Sequence, residues 1–272
     1  AKAGKKVLIV ESLPSFGGGC VHSGTLPSKS FRESVYRYSL GSGGSLGQEN
    51  ESSAEMVAGA KKKKIRDLPE MNRLLRRRNR VVAGESQVIH DQLKRNQVTL
   101  LNGTARLEGP HDVEVNVGGV KKRYTGKFIF VAVGARPVPP GHIVLDNKVV
   151  LDSESILSLK QTPRSLIVLG AGVIGCEYAS MFSIAGTKVM LVDKRDQMLA
   201  AVDREIVAHL VRMFTDYQTD IILGAEALEV KVRLPKGKVP GQATVKLSNG
   251  QTLVAEAVLV AVGRGNAAIR EE

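Results

Sequence analysis

The chain has 272 residues, a formal net charge of +12, 43% hydrophobic residues and only 4% aromatic ones. At about 150 residues per domain this is length for roughly two domains, with apolar content enough to pack both. No apolar run approaches the roughly 18 residues needed to cross a bilayer, and no basic-then-apolar leader opens the chain, so a soluble, cytoplasmic protein without membrane attachment is expected. Cys20 and Cys176 are too far apart for a local zinc pair or a disulfide framework, and the five histidines are scattered, so no metal site is expected. The charge raises nucleic acid as a partner. Much of the excess lies in two runs, Lys61–Lys64 and Arg76–Arg78, with no interleaved aromatics to stack bases. A solvated helix face is the simpler reading of both, and nucleic acid ranks last among partners.

In chain order, Ala1–Lys6 leads into Val7-Leu8-Ile9-Val10-Glu11, an apolar run closed by an acid. The second strand of a dinucleotide fold reads this way, and a first strand with its glycine turn is expected upstream. The chain is therefore expected to be a fragment. A glycine-rich segment, Gly17–Lys29, passes into a helical pattern through Phe31, Val35 and Tyr36. Gly41–Ser45 and Gln48–Ser53 read as a flexible connection. An amphipathic helix is predicted over 70–95, with Met71, Leu74, Leu75, Val81, Val82, Val88, Ile89 and Leu93 toward a core and Gly84 weakening its middle. Strands are predicted near 98–101, 113–118 and 122–126, then a buried strand Phe128–Val133 ending at Gly134-Ala135-Arg136-Pro137. Residues 138–152 read as a crossover.

The second half opens with the strand Ser165–Leu169, a glycine turn, a helix and the strand Lys188–Asp193. A helix over Val202–Asp216 and strands near 220–223, 226–233, 241–247 and 253–262 follow. The predicted fold class is α/β: two dinucleotide-binding, Rossmann-like units, the first incomplete, with short antiparallel β segments. The expected domains are 1–152 and 153–272.

Gly170-Ala171-Gly172-Val173-Ile174-Gly175 fits GxGxxG and stands between a predicted strand and a predicted helix, the context that gives the motif meaning. Gly170 makes the tight turn, Gly172 lets backbone approach a pyrophosphate, and Gly175 permits close helix–strand packing. The helix N-terminus then faces the phosphates. Asp193 closes the next strand 23 residues after Gly170, close to the spacing of a ribose-binding acid. Lys194 and Arg195 follow it as candidate ligands of a 2′-phosphate, so the site is expected to accept both NAD and NADP. A glycine turn in an ordinary crossover, followed by two solvated bases, is the competing reading.

The segment Gly17-Gly18-Gly19-Cys20-Val21-His22-Ser23-Gly24-Thr25-Leu26-Pro27-Ser28-Lys29 resembles the flavin-side segment of the pyridine-nucleotide–disulfide oxidoreductases. Further matches follow in order: Asn102-Gly103-Thr104-Ala105, Ala132–Pro137, Asp152–Leu157, and Ala261–Asn266, the last one residue short. In most of that family a second cysteine stands five residues after the first; here Thr25 stands there. The resemblance is to the branch that passes hydride between NADPH and NAD through FAD alone, a transhydrogenase activity. It implies FAD, NAD and NADP as cofactors, and a homodimer or higher homo-oligomer for the intact protein.

The resemblance also assigns roles. Lys29 lies near the flavin and is paired with Glu177, while Thr25 and Cys20 shape the flavin's other face. Removing one partner of that pair, taken as buried, is expected to cost about 3–5 kcal/mol. Glu11, Gly18, Gly19, Cys20, Lys29, Ala105 and Gly134 belong to the FAD side, and Gly263 to the returning turn. Simpler readings stand beside these: a strand-end charge for Glu11, a helix-capping residue for Thr25, a packed thiol for Cys20, a surface lysine for Lys29 and a first-turn carboxylate for Glu177. Cys176 is expected to pack against the sheet, and His22 to be a satisfied, partly buried histidine. The rival functions are a disulfide reductase of the lipoamide or mercuric type and a non-catalytic nucleotide-binding fragment.

Overall fold

A computed structural model describes residues 1–40, 68–237 and 239–266. The Lys61–Lys64 run and the segments Gly41–Ser45 and Gln48–Ser53 lie outside the described residues. The chain begins with β1 (Leu8–Glu11), α1 (Gly18–His22), α2 (Thr25–Ser39) and α3 (Met71–Arg95). Then come β2 (Thr99–Asn102), β3 (Thr104–Leu107), β4 (Asp112–Val117), β5 (Val120–Thr125), β6 (Ala135–Pro137) and β7 (Val150–Leu151). After a 3₁₀ turn at Ser155–Ser158 follow β8 (Ser165–Leu169), α4 (Val173–Ile184), β9 (Lys188–Asp193), α5 (Arg204–Asp216) and β10 (Asp220–Leu223). The last strands are β11 (Ala227–Arg233), β12 (Gln242–Leu247), β13 (Thr252–Ala255), β14 (Ala257–Val260) and β15 (Arg264–Asn266).

Contacts divide the described chain into two compact units that interleave in sequence. One holds 1–27, 79–135 and 266; the other holds 28–40, 68–78 and 136–265.

The second unit is built on a parallel sheet in the order β10-β9-β8-β14-β7. Its strands read as unbroken apolar runs because both faces are covered. Alternation still sorts the side chains. Leu166 and Val168 of β8, Val189 and Leu191 of β9, and Ala257 and Leu259 of β14 join one core, with Phe31 of α2, Met71 and Leu74 of α3, and Phe182 of α4. Ile167, Leu169, Met190, Val192, Val258 and Val260 point the other way. There they meet Ala243, Val245 and Leu247 of a three-stranded antiparallel sheet, β11-β12-β13. The period of two in a strand thus produces three layers: helices, parallel sheet, antiparallel sheet. The Phe31 and Phe182 rings, 5.7 Å apart between centroids, join α2 to α4.

The first unit is thinner. β1 and β2 pair in parallel, and β3-β4-β5 form an antiparallel meander in which Val115 is fully buried.

Four departures from the sequence reading have physical causes. Phe128–Val133 is neither strand nor buried: Phe130 is 90% exposed, and among the described residues no strand pairs with the segment. The single strand predicted near 253–262 is two strands in different sheets. They break at Glu256, whose carboxylate accepts from Arg164 N and whose own N–H donates to Ser165 Oγ. Apolar residues on both sides of Glu256 hide that corner from a pattern reading.

The predicted helix over Val202–Asp216 starts later, at Arg204, because the Asp203 side chain caps it through Glu205 N. In α3, Met71, Leu74 and Leu75 are buried as predicted, but Val88 is exposed. Helical spacing carries the half-buried stripe through Val82, Ile89 and Leu93 and leaves Val88 beside it. Arg76 of the basic run is exposed, and Arg77 and Arg78 are half-buried.

Candidate functional site

The glycine turn sits at the carboxyl end of β8. Gly170 has φ +104°, and a Cβ there would lie 2.5 Å from Ala261 O. A Cβ on Gly175 would collide with Gly170 O. Only glycine fits either position. Gly172, at φ −79° the N-cap of α4, faces open space: a Cβ would meet nothing within 4 Å. Two crowded glycines fold the turn, and the third leaves room above the helix N-terminus for an anion.

The turn is fastened to β9. Gly170 N donates to Val192 O at 2.7 Å, and Ala171 N donates to Asp193 Oδ2 at 2.6 Å. Asp193 Oδ1 accepts from Arg195 N and Arg195 Nε, both at 2.9 Å, and Oδ2 accepts from Arg195 Nη2 at 2.7 Å. The Asp193 side chain is 4% exposed and that of Arg195 46%. Burial works against the charge on Asp193, but the bonds from the Arg195 side chain, its backbone and Ala171 outweigh it and hold the carboxyl below the ordinary range. The Arg195 guanidinium is correspondingly raised by its bond to Asp193. Lys194 is exposed beside it. Gly263 is exposed in the turn after β14, which approaches the glycine turn through Ala261 N donating to Leu169 O at 2.7 Å.

Lys29 Nζ and Glu177 Oε1 form an ion pair, joined by Ser28 Oγ at 3.4 Å. The partners predicted to meet do meet, although 148 residues separate them. The pair is not buried: Lys29 is 58% exposed and Glu177 18%. The cost of breaking it therefore falls from the expected 3–5 kcal/mol to the ~0–1 kcal/mol of an exposed pair. Next to Glu177, Tyr178 is buried, donates to Ser153 O at 2.8 Å, and has its hydroxyl pKa pushed up by that burial. It anchors α4 to the Asp152–Leu157 segment, where Asp152 Oδ1 accepts from Glu154 N and Ser155 N.

In the first unit, Glu11 closes β1 opposite Asn102 of β2. Its Oε1 accepts from Leu13 N at 3.0 Å, and its backbone O accepts from Gly103 N. Asn102 Nδ2 donates to Leu13 O at 2.7 Å. Glu11 and the Asn102–Ala105 turn thus form one cluster, with Ala105 exposed on β3. Gly18, Gly19 and Cys20 lie in α1, with Cys20 exposed and free. His22 is half-buried, its Nε2 bonded to Phe16 O. Thr25 opens α2 two residues before Pro27, and shares a helix face with Lys29 four residues on. Gly134 is exposed just ahead of β6. Cys176 is free and buried in α4, and burial pushes its thiol up to about 11.

Sequence reasoning missed Ala171 N–H, Ser28 and Ala261. Each acts through backbone or through a fold neighbour distant in sequence, and no residue type signals that. Among the described residues, no group of His, Cys, Asp and Glu is arranged to hold a metal ion, and no helix is long and apolar enough to cross a membrane.

A glycine turn between parallel strands, tied to an acid closing the next strand, defines a dinucleotide-binding α/β protein. The chain belongs to the pyridine nucleotide-disulphide oxidoreductase family, whose description matches residues 1–269. It is 40% identical over 266 residues to a soluble pyridine nucleotide transhydrogenase of Mycobacterium bovis, covering 97% of this chain and 53% of that protein. It is 34% identical over 264 residues to a soluble pyridine nucleotide transhydrogenase of Vibrio vulnificus, with the same coverage. The HOCl-induced flavoprotein disulfide reductase RclA from Escherichia coli superposes with a TM-score of 0.78 at 26% identity, over 98% of this chain and 53% of that one. LpdA from Mycobacterium tuberculosis shares the fold at a TM-score of 0.78 and 22% identity, over 97% of this chain and 54% of that one. The chain spans about half the length of the curated relatives it matches.

Proposed function

We propose that the protein to which this chain belongs is an FAD-dependent oxidoreductase that exchanges hydride between NADPH and NAD without a redox disulfide. The observation that carries the reading is the Gly170–Gly175 turn, open at Gly172 and braced on Asp193, in a chain whose cysteine-to-threonine spacing leaves Cys20 no partner at position 25. On this reading 1–152 is the partial FAD domain and 153–272 the NAD(P) domain. The whole protein works as a homodimer or larger homo-oligomer.

The backbone N–H groups after Gly172 bind the pyrophosphate of either nicotinamide nucleotide at the N-terminus of α4. Lys194 and Arg195 lie where a 2′-phosphate is read. FAD, when bound, supplies the two-electron store that separates the two half-reactions. Glu11 fits its ribose end, because Oε2 has no hydrogen bond within the described chain while Oε1 holds the local turn. Gly18, Gly19, Cys20, Ala105 and Gly134 are the remaining candidates on that side. Lys29 offers a cation where negative charge develops during transfer, and Glu177 holds that ammonium in place. Thr25 has no thiol through which electrons leave, so they return to a second nicotinamide nucleotide. The likeness to RclA keeps a disulfide reductase as the second reading, and Thr25 weighs against it.

The test is hydride exchange from NADPH to thio-NAD by the FAD-loaded whole protein, before and after thiol alkylation. Exchange is expected to persist, with no turnover of lipoamide. Loss of exchange on alkylation with FAD retained, or lipoamide turnover, overturns the disulfide-free account.

A further inference from the structure

The strand-end acid of the second unit has no capacity left for a ribose. A carboxylate offers about four acceptor positions. In Asp193 these are taken by Arg195 N and Nε on Oδ1, and by Arg195 Nη2 and Ala171 N on Oδ2. The side chain is also 4% exposed, so no open face remains for a hydroxyl to approach. Arg195 is the exposed member. Its fork presents five N–H donors, of which the carboxylate uses two. The outer edge, with three donors, stays available.

The backbone holds the arrangement from both ends. Gly224 N donates to Arg195 O at 2.9 Å and Ala225 N to Asp193 O at 3.1 Å, fixing the chain that carries the pair. The same carboxylate binds Ala171 N inside the glycine turn. One carboxylate therefore fixes the distance between the pyrophosphate-binding turn and the guanidinium. A planar fork with a free outer edge suits a phosphate monoester, which it meets with paired donors.

We propose that Asp193 is a positioning residue that aims Arg195 at a 2′-phosphate, so that the second unit prefers the 2′-phosphorylated dinucleotide and accepts the unphosphorylated one only where the Asp193–Arg195 pair opens. The inference rests on the reading of Gly170–Gly175 as a dinucleotide site and adds which nucleotide that site favours. Lys194 supplies a second, unconstrained charge. It strengthens binding of any anion but does not set the geometry.

The test is calorimetric titration of the full 272-residue chain with 2′,5′-ADP and with 5′-ADP, neither of which needs FAD. The wild type is expected to bind 2′,5′-ADP about ten- to a hundred-fold more tightly, the range of one to two charge-assisted bonds. Arg195→Ala frees one acceptor position on each oxygen of Asp193 while leaving the bonds from residue 195 N and Ala171 N intact. It is expected to abolish the preference and to tighten 5′-ADP, as the released carboxylate takes the ribose hydroxyls. Asp193→Asn is expected to weaken 2′,5′-ADP without tightening 5′-ADP, and Arg195→Lys to restore part of the preference but not all of it.

An affinity ratio separates this from a purely structural role, since a general loosening weakens both ligands alike. Equal affinities in the wild type, or an unchanged ratio in Arg195→Ala, overturn the proposal. Binding of neither ligand by folded wild-type chain overturns the dinucleotide reading and the proposal with it.

Discussion

Two acids close two strands in this molecule, and they are in opposite states. Glu11 ends β1 with one carboxylate oxygen on Leu13 N and the other without a partner in the described chain. Asp193 ends β9 with both oxygens doubly occupied. Sequence position makes them equivalent; hydrogen bonding does not. A strand-end acid can receive a ligand directly or can organise the residue that does, and the count of filled acceptors tells the two apart. The surroundings differ in the same sense. Asp193 sits on a sheet covered on both faces, whereas among the described residues β1 pairs with β2 alone.

The largest break in that comparison is Gly175→Ala, whose new Cβ strikes Gly170 O. It should leave the second unit unfolded by circular dichroism. Gly172→Ala, one turn away in open space, should melt within about 0.5 kcal/mol of wild type yet lose nucleotide affinity. Next in size is Phe182→Ala, which removes a ring from the helical layer. It should cost about 3–5 kcal/mol by denaturant melting, with amide protection falling first in α2 and α4.

Asp193→Asn should cost about 1–3 kcal/mol, and Glu11→Gln less than about 1 kcal/mol. The two differ in pH dependence as well. Because the Asp193 carboxyl is lowered in the fold, its contribution is complete above the ordinary carboxylate pKa of about 4 and is lost as pH falls through its lower native value. Acid melts of Asp193→Asn should lack that limb. Lys29→Ala should change stability by under about 1 kcal/mol while slowing hydride exchange in the whole protein, which separates its electrostatic role from a structural one.

The smallest effect on stability and the cleanest chemical contrast concern the thiols. At pH 8 Cys20 should alkylate and Cys176 should not, read by intact mass. Since the unfolded Cys176 thiol ionises near 9 and the folded one near about 11, stability should fall between those values as pH rises, and Cys176→Ala should flatten the slope.

Much of the second unit was legible because its signals are local. The glycine spacing, the apolar runs of β8 and β9 and the closing acid each follow from one stretch of chain. The long-range Lys29–Glu177 pair was legible only through family resemblance, because nothing in either stretch names the other. Its burial was misread for the same reason: exposure depends on neighbours that neither stretch specifies. The strand predicted at Phe128–Val133 failed because an apolar run becomes a strand only beside another one. The filled acceptors of Asp193 were invisible too, since two of the four donors are backbone N–H groups and the other two come from a guanidinium that the local chain folds back onto the carboxylate.

The central claim is that electrons leave the flavin only to a second nicotinamide nucleotide. A stoichiometric anaerobic titration of the FAD-loaded whole protein with NADPH tests it most directly. One equivalent should bleach the flavin completely, because the protein then holds one two-electron acceptor. A requirement for two equivalents would reveal a second acceptor, a disulfide, and would contradict the account.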